Sequence, residues 1–168
     1  MITTNIILKS FTTLCDEDYK ELSGLDTVLF QKYGLSFSNE IWSVKNFKYF
    51  LPQKELLSYV CIVENKLIGY IVASNKNNSI YIHRFGVIKK GIAELFFSNV
   101  LKKYSNKYLV LMVNIMNHRA ISFYKKFDFI IEKNIKEIKK YINPELSVNE
   151  YGEIKIKEDY KCYLMKKN

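Results

Sequence analysis

Two stretches of the chain put charged and reactive side chains at spacings that can do chemistry. In residues 82–93, IHRFGVIKKGIA, an apolar strand pattern runs through a short basic turn into a glycine-led helix. The first amides of a helix have no partner inside it and carry the positive end of its dipole, so such a junction binds a pyrophosphate. Gly91 lets the backbone come close, and Lys89 and Lys90 add charge. In residues 117–129, NHRAISFYKKFDF, the positions of Ala120, Ile121, Tyr124 and Phe127 follow a helical period, with Asn117 where a cap would stand. His83 and Tyr124 can move protons: an imidazole titrates near neutrality and a phenol is a weak acid. Each also has a plainer reading, His83 as a packed or surface ring and Tyr124 as one of 13 tyrosines filling a core. No serine or cysteine stands in a nucleophile–base context.

These residues need a frame. Residues 5–11 read as a strand, and a helix starts at Asp16 with Tyr19, Leu22, Leu25, Leu29 and Tyr33 on one face, stopping at Gly34. Ser38 or Asn39 caps a second helix that carries Ile41, Trp42, Val44, Phe47 and Phe50 and ends before Pro52. Residues 57–63 and 67–73 form a hairpin around Glu64, Asn65 and Lys66, and a polar turn at 75–79 leads to a strand over 79–88. A helix runs from Gly91 to about Tyr104, and 108–113 is apolar enough for a strand covered on both faces. After the helix at 117–127, residues 129–135 and 161–165 read as closing strands, with a polar loop at 143–152. The result is one mixed α/β domain over residues 1–168.

Composition narrows the classes. With 168 residues, 48% apolar and 15% aromatic, the chain can fill a core, and no apolar run approaches the ~20 residues of a membrane span. The start lacks a basic stretch followed by a long apolar one, so the chain reads as cytoplasmic, without a membrane. Cys15, Cys61 and Cys162 are too scattered for a disulfide framework or a zinc site, and two histidines give no metal cluster. The net charge is +9, and residues 84–126 hold nine lysines and arginines against Glu94 alone. Such a field attracts a polyanion, either a nucleic acid or a phosphate-rich cofactor.

The 117–129 stretch resembles the N-x-x-A-x-x-F-Y-x-K-x-G-F signature of the GCN5-related N-acetyltransferases (GNAT), with Asp128 where glycine is usual. The 82–93 junction resembles that family's cofactor turn, keeping Gly91 and Ala93 but carrying Ile88 where Arg or Gln belongs, in a shorter turn. The resemblance implies a GNAT fold, a mixed central sheet of about seven strands flanked by about four helices. It implies acetyl-CoA as donor, an amine acceptor, and direct attack of the amine in a ternary complex. By resemblance the cofactor meets Phe85, Val87, Lys89, Lys90, Gly91, Ile92, Ala93, Asn117 and Arg119. A backbone amide between Phe85 and Val87 would hold the oxyanion, with Gly86 permitting a bulge that frees it. Tyr124 would protonate the leaving thiolate, and His83 would take the amine's proton, with Glu64 and Tyr81 as further candidates for that base. The aromatic residues between 30 and 50 could wall an acceptor pocket for an apolar or sugar-like amine, a protein amine being equally open. A cofactor accounts for the basic segment and disfavours nucleic acid. A non-catalytic CoA- or nucleotide-binding module is the rival, and both monomer and homodimer are compatible with the closing strands.

Overall fold

The computed structural model describes residues 4–105 and 107–168. Eight strands form one sheet: β1 (Ile7–Ser10), β2 (Tyr59–Val63), β3 (Lys66–Lys76), β4 (Ser79–Val87), β5 (Leu109–Asn114), β6 (Ile130–Ile131), β7 (Glu153–Lys157) and β8 (Tyr160–Lys167). Their order is β1-β2-β3-β4-β5-β8-β6, with β7 also paired to β8, and every pairing is antiparallel except β4 with β5. The helices are α1 (Asp16–Tyr33), α2 (Val44–Lys48), α3 (Lys54–Leu57), α4 (Ala93–Tyr104), α5 (His118–Lys126) and α6 (Ile135–Lys139). Among the described residues no helix is long and apolar enough to cross a membrane.

Local chemistry sets these elements. The Asp18 carboxylate accepts the Cys15 amide at 2.9 Å in the first turn of α1, and Gly34, at φ 59°, ends that helix. Glu64 and Asn65, then Asn77 and Asn78, all adopt positive φ, making two tight hairpin turns of the kind antiparallel strands favour. The second helix expected from Ser38 is confined to α2, because Ser43 caps it by accepting the Asn46 amide. α3 fills the gap between Pro52 and the expected strand and takes that strand's first residue, Leu57. The strand expected over 129–135 keeps two residues, since Asn134 accepts the Lys136 and Glu137 amides and opens α6. β7 arises from alternating Glu-Ile-Lys-Ile-Lys that the sequence reading passed over.

The sheet has two apolar faces. On one, Ile80, Ile82 and Phe85 of β4 pack with Phe96 and Phe97 of α4 and Ile121 of α5. On the other, Tyr70 and Val72 of β3 lie under Leu22 and Leu29 of α1, while Tyr81 and Val110 pack with Ile138 of α6 and Ile154 of β7.

A bulge in β4 decides what sits on the second face. Val72 pairs with Arg84 but Ala73 pairs with Ile82, so His83 is the extra residue and the alternation is reset. His83 and Arg84 therefore both project to the α1 side. The bulge expected at Gly86 lies three residues earlier, and Gly86 pairs regularly with Tyr70. Its small size serves packing, because a Cβ there would stand 2.5 Å from Leu29 Cδ1 and 2.9 Å from the Tyr70 hydroxyl.

Arg84 reaches Asp26 of α1, which is wholly buried, through Nε at 2.6 Å and Nη2 at 2.8 Å. Asp26 also accepts the Trp42 amide at 2.7 Å and the Tyr70 hydroxyl. Arg84 donates further to Ser38 Oγ at 2.7 Å and to the Glu40 carbonyl at 2.8 Å. Removing one partner of such a pair strands a buried charge. Asp26→Ala should cost about 3–5 kcal/mol in urea unfolding, and Asp26→Leu with Arg84→Met clearly less. A loss in Asp26→Ala below about 1 kcal/mol, the size of an exposed pair, would contradict this account.

Candidate active site

β4 and β5 pair only over Ile80–Ile82 and Leu109–Leu111, and beyond that they part, β4 continuing to Val87 and β5 to Asn114. The gap is a cleft of about 790 Å³ that passes between the two faces of the sheet. Ile88 N–H donates to the Ile68 carbonyl at 2.9 Å. Because amides alternate along a strand, those of Phe85 and Val87 point away from β3, toward the side that β5 has left.

On the α4 side, Phe85, Val87, Lys89, Lys90, Gly91 and Ala93 line the cleft. Gly91 has φ 87° with open space where a Cβ would stand, and Lys89 and Lys90 are exposed, with no carboxylate partner among the described residues. Ile92 differs from its neighbours: its side chain is core, 5% exposed, and its amide bonds the Lys89 carbonyl at 3.3 Å. From α5, Asn117 caps the helix by accepting the Ala120 amide at 3.0 Å, and its side chain still lines the cleft. Tyr124 lines it too, held among Phe97, Phe123 and Phe129. Burial raises its phenol above the ordinary range, so it stays protonated. Its hydroxyl has no hydrogen-bond partner among the described residues. Arg119 stacks 3.7 Å from the Tyr33 ring centroid and hydrogen-bonds that phenol, which lowers the phenol's pKa.

On the α1 side stand His83, Arg84, Phe37, Glu40, Trp42 and Tyr160. His83 Nε2 lies 2.6 Å from Ser74 Oγ, and its ring is 4.7 Å from that of Tyr81. Desolvation, with the charges of Lys76 and Lys54, pulls its pKa down to about 4. It is therefore neutral at pH 7 and a weak base. Glu64 lies in the exposed β2–β3 turn and Tyr81 in the core, so neither reaches the cleft. Cys162 lines the cleft, but burial pushes its thiol up to about 11, which keeps it from acting as a nucleophile. The aromatic residues of 30–50 divide: Tyr33, Phe37 and Trp42 face the cleft, Phe47 is core, and Tyr49 and Phe50 are exposed elsewhere.

A strand bulge, parting parallel strands and a glycine turn before a helix occur here in the order of one enzyme fold. The family model described as an acetyltransferase (GNAT) domain matches residues 31–143. The chain belongs to this family. Among solved structures, Arabidopsis thaliana Naa50 in complex with a CoA-Ac-MVNAL bisubstrate analogue superposes with TM-score 0.59 at 22% identity, covering 97% of this chain and 98% of that one. The Escherichia coli ribosomal-protein-S18-alanine N-acetyltransferase gives 0.65 at 14% identity, with coverage of 96% and 92%. The Thermoplasma acidophilum PaiA N-acetyltransferase, in complex with coenzyme A, gives 0.63 at 15%, with coverage of 98% and 99%. At these identities the likeness is one of fold. No curated protein matches the chain in sequence. Within the GNAT signature, Asp128 adopts φ 67°, the conformation for which glycine is the usual residue, and aspartate tolerates it.

The neutral His83 ring makes stability depend on pH. The unfolded chain binds its proton near pH 6.5 and the folded one only near about 4, so acid favours unfolding between those values. Stability is full above about 6.5 and falls as the pH drops toward about 4, by on the order of 3 kcal/mol from this ring. Urea unfolding of His83→Gln should lack that component; equal pH slopes for variant and parent would refute it.

Proposed function

We propose that this GNAT-family protein transfers an acetyl group from acetyl-CoA to an amine by direct attack within a ternary complex. The observation that supports the reading is the cleft between β4 and β5, with the Phe85 and Val87 amides turned away from β3 and Tyr124 of α5 among its lining residues. Three features fit the donor: open space over Gly91, Lys89 and Lys90 beside it with no carboxylate partner among the described residues, and the amides of Phe85 and Val87 along the groove. Bound acetyl-CoA supplies a thioester whose acyl carbon is open to a neutral amine.

The chain's own groups do the rest. Lys89, Lys90, Arg119 and the turn at Gly91 and Ala93 hold the phosphates, and Asn117 and the β4 amides hold the pantetheine arm. The amides of Phe85 and Val87, on the edge of β4 turned away from β3, stabilise negative charge as it develops on the acyl oxygen. Tyr124 Oη gives its proton to the departing sulfur. His83 accepts the amine's proton, and its weak basicity leaves most amine deprotonation to solvent. kcat/KM should accordingly climb with pH toward the amine's own pKa, with no plateau above about 6.5.

Titration calorimetry with CoA should give one site, weakened by Lys89→Ala, by Lys90→Ala and by added salt. Tyr124→Phe should lower kcat roughly 100-fold while CoA affinity is kept. Full activity in Tyr124→Phe removes that residue's role. CoA binding without transfer to any amine would leave a binding module instead of an enzyme.

A further inference from the structure

The acceptor's chemistry can be read from the α1 half of the cleft, an inference that rests on the acetyltransferase reading above. Charge is distributed unevenly there. Lys89 and Lys90 flank the helix turn, and Lys32 and Arg119 both lie on the Tyr33 ring, 5.3 Å and 3.7 Å from its centroid. Arg84, the cation nearest His83 in sequence, is neutralised by Asp26 and has its guanidinium 4.9 Å from the Phe37 ring centroid and 4.8 Å from that of Trp42. It has no charge to offer an acceptor. Glu40 is the one carboxylate among the residues lining the cleft. Its backbone is fixed by Arg84 on the carbonyl and by Ser38 Oγ on the amide at 3.3 Å, while its exposed side chain has no cation partner among the described residues.

Much of the remaining lining on this side is apolar. Phe37 and Trp42 come from the segment after α1, Met112 from β5, and Ile156 and Tyr160 from the β7–β8 hairpin. Tyr160 spends its polar end on a hydrogen bond with Cys162. A group entering beside these walls meets the ring surfaces and methylenes that Arg84 leaves uncovered, and His83 lines the same cleft.

We propose that the acceptor is a primary ammonium on an apolar, aromatic-sized body with no anionic group beside the amine, drawn in by Glu40 and received between Trp42, Phe37 and Tyr160. A free arylalkylamine and a peptide whose first residue is apolar share this chemistry. An amino acid does not, because its carboxylate would enter beside Glu40, while the cleft cations Lys32 and Arg119 are held on the Tyr33 ring.

The test is acetyl transfer from saturating acetyl-CoA to 2-phenylethylamine, to a tetrapeptide amide beginning with phenylalanine, and to phenylalanine itself. One or both of the first two should exceed phenylalanine in kcat/KM by about 100-fold, the cost of juxtaposing like charges. Whichever is faster identifies the source. Glu40→Gln should raise KM for that amine roughly fivefold, with kcat and CoA affinity kept, as expected for an exposed ion pair. Phenylalanine accepted as well as 2-phenylethylamine and the peptide would overturn the inference, and so would an unchanged KM in Glu40→Gln. Transfer only to spermidine or an amino-sugar phosphate would also sink it while leaving the acetyltransferase reading intact. Absence of both CoA binding and transfer would sink both.

Discussion

The Asp26–Arg84 pair fixes the geometry on which the cleft depends. Burying two charges is expensive, and their attraction offsets that cost only when the remaining hydrogen-bonding capacity is met. Here it is met: each Asp26 oxygen accepts two bonds, and Arg84 divides its donors among Asp26, Ser38 and the Glu40 carbonyl. Four separate parts of the chain converge on it: α1, the segment before α2, β3 and β4. None can move without breaking a hydrogen bond to the wholly buried Asp26 carboxylate or to the Arg84 guanidinium that answers it. Arg84 arrives there only because the bulge at His83 turns it to the α1 side. One extra residue in β4 thus sets the α1-side lining of the cleft and places His83 within it.

The same strand serves the opposite face through a different property. Its backbone is held by β3, and its far edge loses β5 after three paired residues. Parallel strands that part leave amides without partners, and such amides are costly unless something binds them. Side chains of the strand thus organise one face while its main chain is directed at the other. This division suits a reaction in which two substrates must meet from opposite sides of one sheet.

Much of this was legible in the sequence. α1, the β2–β3 hairpin, β4, α4, β5 and α5 all stand where hydrophobic periodicity and turn residues put them, because each has a clear apolar stripe or an apolar run. The cleft residues of the glycine turn and of α5 were equally visible. The parts that were hidden depend on pairing across long separations. β7 alternates Ile154 and Ile156 with charged residues, but its burial exists only beside β8. The bulge at His83 follows from register with β3, which no local pattern encodes. Asp26 left a trace: it lies four residues after Leu22 and three before Leu29, on the apolar stripe of α1, where an unpartnered carboxylate would be prohibitive. A carboxylate in that position calls for a buried cation.

Ile88 is the clearest departure from the GNAT pattern, and its surroundings explain the short turn. Its amide continues the pairing with β3 through the Ile68 carbonyl, and its side chain packs against the apolar clusters of both sheet faces. An arginine or glutamine could not bury its head group there without a partner. The strand therefore runs further before turning, and fewer residues remain to curl main-chain amides around a phosphate. Lys89 and Lys90 occupy that remainder, both exposed. In the proposed reading, charge on flexible side chains takes over part of what a longer turn would do at a phosphate with fixed dipoles. That exchange loosens orientation and makes the contact easier to screen with salt, because exposed ammonium groups lose their hold within a Debye length. Lys89 and Lys90, two of the nine basic residues of 84–126, are then a consequence of how β4 ends.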